Sequence, residues 1–283
     1  MPPGAPTLTS LVRYPLKSGR AETLAEAVVE PWGLAGDRRW MVVDAGGRML
    51  TGRQVPELVL VEATAGDDGL VLSARGRTPV RVATPAGPDR VPVDLFGSRF
   101  LASPAPGAEA WLTAVLGRPA RLLHLRDPRG RAADPAYAAP GDLVSLADGF
   151  PLMLTNEASL AALEGWVAEG PRPQEAPLGM GRFRPNLVVT GAPAWAEDRW
   201  RRLRIGDVSF RAVKACERCA FTLVDPATAA RTKEPLASLA RHRRYDGKTW
   251  FGVNLVPEQP LGRLCVGDAV EVTALAPEPG PLR

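Results

Sequence analysis

Glycine and proline interrupt this chain at short intervals along its whole length. The sequence contains 28 glycines and 29 prolines among 283 residues, and they are scattered, not gathered in one segment. Both residues end helices and favour turns, so their distribution predicts many short strands connected by turns and few long helices. We therefore expect a mainly β protein with short helices, in the α+β class.

Turn signals between apolar runs support this expectation. Glycine-rich segments separate pairs of strand-like runs and predict three hairpins, whose turns are residues 45–47, 66–69 and 206–207. The runs expected to pair around the first two turns are residues 40–44 with 48–51 and residues 58–63 with 70–74. Closely spaced strands of this kind before residue 100 are typical of a small barrel or sandwich.

Helical spacing is confined to three short stretches, residues 108–116, 157–168 and 236–241. Gly117 ends the first of them, and Asn156 is suited to cap the second because its side-chain oxygen can accept a hydrogen bond from the first turn. Residues 220–224 follow Cys216 and Cys219 and look like another strand. Residues 127–142 are rich in proline, glycine and alanine, and they predict a long, mobile loop.

Charge and hydropathy exclude several classes of protein. The net charge is only +4, from 35 basic and 31 acidic residues, and no basic run alternates with aromatics as in a nucleic-acid groove. No apolar run approaches the roughly 20 residues that span a bilayer, and residues 1–10 lack the pattern of a signal peptide. Three cysteines are too few for a disulfide framework. We therefore expect a cytoplasmic protein with reduced thiols and no nucleic-acid or membrane partner.

Two cysteines three positions apart, Cys216 and Cys219, are the strongest candidates for chemistry. They could form half of a structural zinc site, although the further ligands on offer lack paired spacing, namely Cys265, His124 and His242. A thioredoxin-like pair would have to open a helix in a βαβ unit, whereas strand-like residues follow here. Two inert buried thiols are a third interpretation.

The remaining alternative is a single thiolate that binds a soft metal ion or the metal of a cofactor. A thiolate on a short connection between strands suits metal capture, and the adjacent Arg218 favours the charged form of Cys219. A metal-free β protein with a redox-sensing thiol pair also stays open.

Basic residues near turns form a second set of candidates. Lysine is rare in this chain, and Lys17 and Ser18 lie on a bend after a strand, where ammonium, hydroxyl and backbone N–H groups can hold a phosphate. Arg38 precedes one predicted strand, while Arg184 and Asn186 lead into another. Each cluster alone is compatible with a solvated turn. Together they could converge on an anionic ligand.

Taken together, these residues resemble the MOSC superfamily, named after the C-terminal domain of molybdenum-cofactor sulfurases, and most closely its mitochondrial amidoxime-reducing branch. The resemblance covers most of the chain and is carried by eight segments in the expected order. They are YPLKS (14–18), GDRRW (36–40), TGRQ (51–54), NEASL (156–160), FRPN (183–186), CERC through VDP (216–226), KEPL (233–236) and VGD (266–268).

The resemblance implies a β-barrel N-terminal domain, residues 1–105, packed on a β-barrel-like MOSC domain, residues 106–275, with a tail over residues 276–283. It also implies a molybdenum cofactor (molybdopterin) between the domains. Cys219 matches the family's molybdenum ligand, and Asp148 matches a position near the metal that could assist proton delivery. The positions that match cofactor contacts are Lys17, Ser18, Arg38, Arg184 and Asn186.

The implied activity is the reduction of N-hydroxylated compounds, such as amidoximes and hydroxylamines, at the molybdenum. Some bacterial relatives carry a ferredoxin-like domain with its own cysteines, whereas only Cys265 follows Cys219 here. We therefore expect electrons from a separate donor protein of the ferredoxin, flavin or cytochrome type. The alternative is a module that binds or carries the molybdenum cofactor, or transfers sulfur, without turnover.

Overall fold

Short strands make up most of the fold, as the distribution of glycine and proline predicts. A computed structural model of the protein describes residues 5–66, 68–258 and 261–277. Asp67 of the second predicted turn, the first four residues and most of the predicted tail at 276–283 lie outside the described residues. No helix in the described ranges combines the length and the hydropathy needed to cross a membrane.

The described elements of the first part of the chain are ten strands. They are β1 (Thr7–Arg13), β2 (Glu22–Leu24), β3 (Glu26–Glu30), β4 (Gly33–Leu34), β5 (Trp40–Val43), β6 (Glu62–Gly66), β7 (Gly69–Ala74), β8 (Arg77–Ala83), β9 (Val91–Leu95) and β10 (Ser98–Ala105). Three helices and nine strands follow them. They are α1 (Glu109–Leu116), β11 (Arg121–His124), β12 (Leu152–Asn156), α2 (Glu157–Ala168), β13 (Leu187–Thr190), β14 (Trp200–Ile205), β15 (Val208–Glu217), α3 (Leu236–His242), β16 (Arg244–Tyr245), β17 (Lys248–Pro257), β18 (Arg263–Cys265) and β19 (Val270–Leu275).

A nine-stranded sheet contains strands from both ends of the chain. Its order is β19-β14-β15-β17-β12-β13-β1-β2, with β16 attached to β17. β12 and β13 are parallel and connected through α2, whereas β1 runs antiparallel to β13. Leu11, Leu154, Leu187 and Phe210 pack in the core beneath this sheet. Because β1 is a member, the loop that follows it lies beside segments from the second half of the chain.

The remaining strands form three smaller sheets, β5-β11-β10-β9, β6-β7-β8 and β18-β3-β4. The first two share a core of apolar side chains with α1, including Trp40, Leu72 and Leu112. This arrangement confirms the predicted mainly β, α+β fold, with a β-barrel N-terminal part packed on the large sheet. The domain boundary near residue 105 stays a prediction.

The ends of two helices follow signals in the sequence. Asn156 has an extended backbone and its side chain accepts a hydrogen bond from the Ala158 N–H at 3.1 Å, so it caps α2 as predicted. Gly117 adopts a left-handed φ of 67° directly after α1, a conformation that glycine reaches without a Cβ clash.

Three local predictions were wrong. Ala220–Leu223 is a 3₁₀ helix and not a strand, because the Cys219 carbonyl accepts from both the N–H and the hydroxyl of Thr222 and so turns the chain. Residues 58–60 belong to a 3₁₀ helix that Pro56 starts, since proline presets φ for a helical turn. Residues 48–51 contribute only an isolated bridge, between Met49 and Val43.

Candidate functional site

One cleft of about 340 Å³ brings together the seven residues proposed for cofactor, metal and proton chemistry. Its walls come from the loop after β1, the turn before β5, the segments before β12 and β13, and the end of β15. The candidate residues that line it are Lys17, Ser18, Arg38, Asp148, Arg184, Asn186 and Cys219. Residues that are distant in sequence therefore share a single site.

The cleft carries an excess of positive charge. Seven of the described side chains that line it are lysine or arginine, and three are aspartate or glutamate. Low-dielectric walls of one prevailing charge concentrate ions of the opposite sign. The cleft is thus suited to an anionic ligand, as the basic clusters in the sequence suggested.

A chain of polar contacts leads from Lys17 to Cys219. Lys17 Nζ donates to the Leu146 carbonyl at 2.7 Å and to Asp148 Oδ1 at 2.5 Å. The other oxygen of Asp148 accepts from Arg53 Nη2 at 2.5 Å, and Arg53 Nε lies 3.3 Å from Cys219 Sγ. Asp148 therefore bridges two cations, one of which contacts the thiol.

Burial and charge act in opposite directions on the pKa values within this chain of contacts. Burial lowers the pKa of Lys17 to about 8, although Asp148 favours the charged form. Burial alone would raise the pKa of Asp148, but Lys17 and Arg53 outweigh it and hold that pKa well below its usual range. Asp148 is therefore ionised at neutral pH.

Sequence reasoning missed Arg53 as a site residue. Arginine is so frequent in this chain that the residue type carries little information. The feature that could have indicated Arg53 is the turn in which it lies. The Thr51 carbonyl accepts from the N–H groups of Gln54 and Val55, and the Thr51 hydroxyl donates to Gln54 Oε1 at 2.9 Å. This tight turn presents Arg53 to the cleft from the N-terminal part of the chain.

Arg38 is held by a buried carboxylate. Its Nη1 donates to Asp37 Oδ2 at 2.5 Å and to Asn186 Oδ1 at 3.2 Å, and its Nη2 donates to the Arg184 carbonyl at 3.2 Å. Burial disfavours the charge on Arg38, but Asp37 outweighs burial and raises the pKa of Arg38. The guanidinium is therefore a fixed positive charge in the cleft wall.

The Asn186 side chain makes its hydrogen bonds to other residues of the protein. Its Nδ2 donates to the Val12 carbonyl at 3.1 Å, and its Oδ1 accepts from Arg38 and, at 3.4 Å, from the Met153 N–H. The amide thus connects β1, β12 and the Arg38 guanidinium. A direct contact between Asn186 and a cofactor stays a prediction.

Arg184 has an unused donor. Its Nη1 donates to the Gly19 carbonyl at 2.7 Å, and its guanidinium carbon lies 4.1 Å from the Tyr14 ring centre and 5.2 Å from that of Phe221. Its Nη2 is buried and has no hydrogen-bond partner among the described residues. Burial lowers the pKa of Arg184 to about 10. A buried donor of this kind is costly unless a ligand supplies the acceptor.

Three of the cleft residues have a left-handed backbone. The φ angles are 66° at Ser18, 47° at Arg38 and 56° at Arg184. Such conformations are uncommon outside glycine and concentrate at functional sites, where the surrounding structure maintains them. Ser18 is also buried, within the wall of the cleft.

The two thiols of the motif have different surroundings. Cys219 lies just beyond the end of β15 and is exposed, whereas Cys216 is half-buried within the strand. Arg218 Nη1 lies 2.8 Å from Cys216 Sγ, and its Nη2 donates to the Phe183 carbonyl. Arg218 was expected to favour the charged form of Cys219, but its guanidinium contacts Cys216, and Arg53 is the arginine that contacts Cys219.

The geometry counts against three of the alternatives for the thiol pair and leaves the redox-sensing pair open. Across the described ranges, no three His, Cys, Asp or Glu side chains are grouped so that they could hold a metal ion, which leaves a zinc site without a ligand set. β15 pairs antiparallel with β14 and β17, so the motif is not part of a βαβ unit. The exposure of Cys219 excludes a pair of inert buried thiols.

Both halves of the chain match families of known proteins. Residues 5–119 match the family described as the MOSC N-terminal beta barrel domain, and residues 142–271 match the MOSC domain. The two matches cover most of the chain, including every residue of the cleft discussed above.

Curated proteins align with most of this chain. The chain is 35% identical to human (Homo sapiens) mitochondrial amidoxime-reducing component 1, over 93% of this chain and 82% of that protein. It is 34% identical to mitochondrial amidoxime reducing component 2 of Bos taurus, with the same coverage of 93% and 82%. It is 30% identical to molybdenum cofactor sulfurase of Oryza sativa subsp. japonica, over 88% of this chain but only 32% of that longer protein.

Proposed function

The chain belongs to the MOSC family, with both the N-terminal β-barrel domain and the MOSC domain, and on that premise we propose that it is a molybdenum-cofactor-dependent reductase of N-hydroxylated compounds. The observation that carries the proposal is an exposed thiol, Cys219, in a cleft with a large excess of positive charge. Relatives named for amidoxime reduction align over nearly the whole chain and support the same activity.

The residues of the cleft fit this cofactor. A molybdopterin has a phosphate at one end and a dithiolene for the metal at the other, so it needs cationic donors and a soft ligand at separate points. Arg184 Nη2 is buried without a hydrogen-bond partner among the described residues, and the buried Ser18 lines the same cleft. Cys219 offers a free, exposed thiol, the ligand type that suits a soft metal centre.

Each residue has a separate task in this proposal. Lys17, Ser18, Arg38 and Arg184 would hold the anionic end of the cofactor, and Cys219 would bind the metal. Asn186 keeps the Arg38 guanidinium in place through its Oδ1. When bound, the cofactor supplies a two-electron reduction, in which an N–OH group, two electrons and two protons give N–H and water.

Asp148 acts as an ion-pair anchor beside the reacting centre. Its depressed pKa favours a carboxylate at neutral pH, so it is better suited to hold Lys17 and Arg53 than to donate a proton. Arg53 in turn holds the Cys219 sulfur at one position. Proton delivery by Asp148 stays a prediction.

Electrons reach this site from a separate donor protein of the ferredoxin, flavin or cytochrome type, and we propose that the reaction takes place in the cytoplasm. The exposure of Cys219 supports external delivery, because the thiol that would hold the metal is accessible from outside the protein. The donor has to supply two electrons for each N–O bond that is broken.

The test compares the two cysteines of the motif. Cys219→Ser should abolish the reduction of benzamidoxime by the holoenzyme with an artificial electron donor, because it replaces the soft metal ligand. Cys216→Ser is the matched control and should reduce the rate only weakly, since Arg218 and not the metal site contacts that sulfur. Full activity of Cys219→Ser with molybdenum retained would contradict the assignment.

A carrier without turnover is the second candidate. The match to a molybdenum cofactor sulfurase favours it, since a region of that longer protein is similar to 88% of this chain. The same assay separates the two functions: a carrier retains the cofactor and passes it to an acceptor protein, but it does not convert benzamidoxime to benzamidine.

A further inference from the structure

The turn between β9 and β10 carries an unusual residue. The two residues of this turn, Phe96 and Gly97, both have positive φ angles, 53° and 89°. Tight hairpin turns of this kind favour asparagine, aspartate or glycine at both positions, and a bulky side chain there is strained. The Asp94 side chain supports the turn by accepting a hydrogen bond from the Gly97 N–H at 2.8 Å. The strain is therefore confined to Phe96.

Burial does not account for phenylalanine at this position. The Phe96 side chain is 62% exposed, in contrast to its neighbour Leu95, which is buried. Asparagine would relieve the backbone strain and expose no apolar surface. A strained and exposed aromatic residue indicates a functional use for its ring.

The ring lies beside the candidate active site. The guanidinium carbon of Arg53 is 5.1 Å from the ring centre, and Lys17 Nζ is 5.9 Å from it. Arg53 also contacts the Cys219 sulfur. Phe96 therefore lies at the rim of the cleft, with one guanidinium between its ring and the proposed metal ligand.

A second cavity of about 610 Å³, here called the hairpin hollow, also has Phe96 in its lining. Its other lining residues include Met49, Pro92 and Val93, together with Arg48 and Arg99. The two arginines are paired with Asp44 and Asp94. The hairpin hollow thus offers apolar contact more than net charge, in contrast to the cationic cleft.

We propose that Phe96 and the hairpin hollow form the subsite for the non-reacting body of the substrate, and that they select N-hydroxylated compounds with a flat aromatic body. An aromatic ring that stacks on Phe96 can direct its N–OH group past Arg53 toward Cys219. Offset or edge-to-face contact with the Phe96 ring provides the attraction. The inference rests on the proposed reductase function.

The experiment compares two amidoximes that differ only in the group attached to the amidoxime carbon. The holoenzyme is assayed with a reduced viologen on benzamidoxime and on acetamidoxime, which lacks the ring. Phe96→Asn suits the strained turn, so it keeps the fold and the molybdenum content. It should raise KM for benzamidoxime about tenfold and leave kcat and the acetamidoxime KM unchanged.

Two further variants serve as controls. Phe96→Tyr keeps an aromatic ring and should retain the wild-type preference for benzamidoxime. Leu101→Ala removes another exposed apolar side chain of the same hairpin, 59% exposed, which lines neither the cleft nor the hairpin hollow. It should change neither KM. Equal selectivity of wild type and Phe96→Asn would overturn the subsite.

Calorimetric titration of the holoenzyme with benzamidine, the expected product, separates failure of the subsite from failure of the proposed function. If wild type with bound molybdenum reduces neither amidoxime but binds benzamidine in a Phe96-dependent manner, the reductase function fails and the aromatic subsite stands. If it neither turns over nor binds benzamidine, both are overturned.

Discussion

Replacing Glu197 by glutamine should stabilise the protein above neutral pH and have little effect in acid. Glu197 is fully buried in the turn that follows β13. Its Oε2 accepts from Ser159 Oγ at 2.9 Å and from Asn156 Nδ2 at 3.3 Å, while Oε1 has no partner among the described residues. Burial raises the pKa of Glu197 from 4.5 to about 7, and the neighbouring Asp198 adds to this effect.

The size and sign of the effect follow from this difference in pKa. Between the unfolded value of 4.5 and the folded value of about 7, the folded protein binds more protons at Glu197 than the unfolded chain does. The free energy of unfolding therefore falls as pH rises through this window. The full loss above neutral pH is ~3 kcal/mol, whereas at pH 5 it is below ~1 kcal/mol.

Urea denaturation of wild type and Glu197→Gln at pH 5 and pH 8 measures the effect. The amide has the shape of the protonated acid and cannot ionise, so the variant should be more stable by ~3 kcal/mol at pH 8 and nearly equal to wild type at pH 5. A difference of the same size at both pH values would refute the reasoning, because it would reflect packing and not ionisation.

Two further predictions concern the cationic cleft. Calorimetry should show that cofactor-free wild type binds inorganic phosphate more weakly at pH 9 than at pH 7, because burial lowers the pKa of Lys17 to about 8. Lys17→Arg keeps its charge at both pH values and should flatten this dependence; parallel profiles would contradict the role of Lys17. Arg38→Met leaves the buried Asp37 carboxylate without its cation and should lower the free energy of unfolding by about 3 kcal/mol, measured with urea. Arg38→Lys should recover part of that loss, and an unchanged unfolding midpoint in Arg38→Met would show that Asp37 does not depend on the pair.

Turn chemistry made part of the fold predictable. Gly206 and Asp207 join β14 to β15 in the expected register, with Ile205 opposite Val208. The turn at Phe96 was not predicted, because phenylalanine is not a turn residue and the strain that it carries is visible only in the backbone angles. Sequence signals therefore identify turns that relieve strain and miss turns that retain it.

The sequence indicated which residues line the cleft but not the contacts that they make. The resemblance indicated residues from distant segments, and they line one cleft. It could not show that Arg218 turns toward Cys216 while Arg53 approaches Cys219, since adjacent positions near a strand end point in different directions. Nor could it show that Asp148 is shared between Lys17 and Arg53, a contact that depends on how the two halves pack.

The most direct test of the account is the molybdenum and pterin content of the protein purified from cells that synthesise the cofactor. Wild type and Cys216→Ser should contain stoichiometric molybdenum and pterin, whereas Lys17→Met, which lacks the ammonium group, should show a clear loss of pterin. Wild-type protein that contains neither molybdenum nor pterin would contradict the central claim that this cationic cleft holds the cofactor.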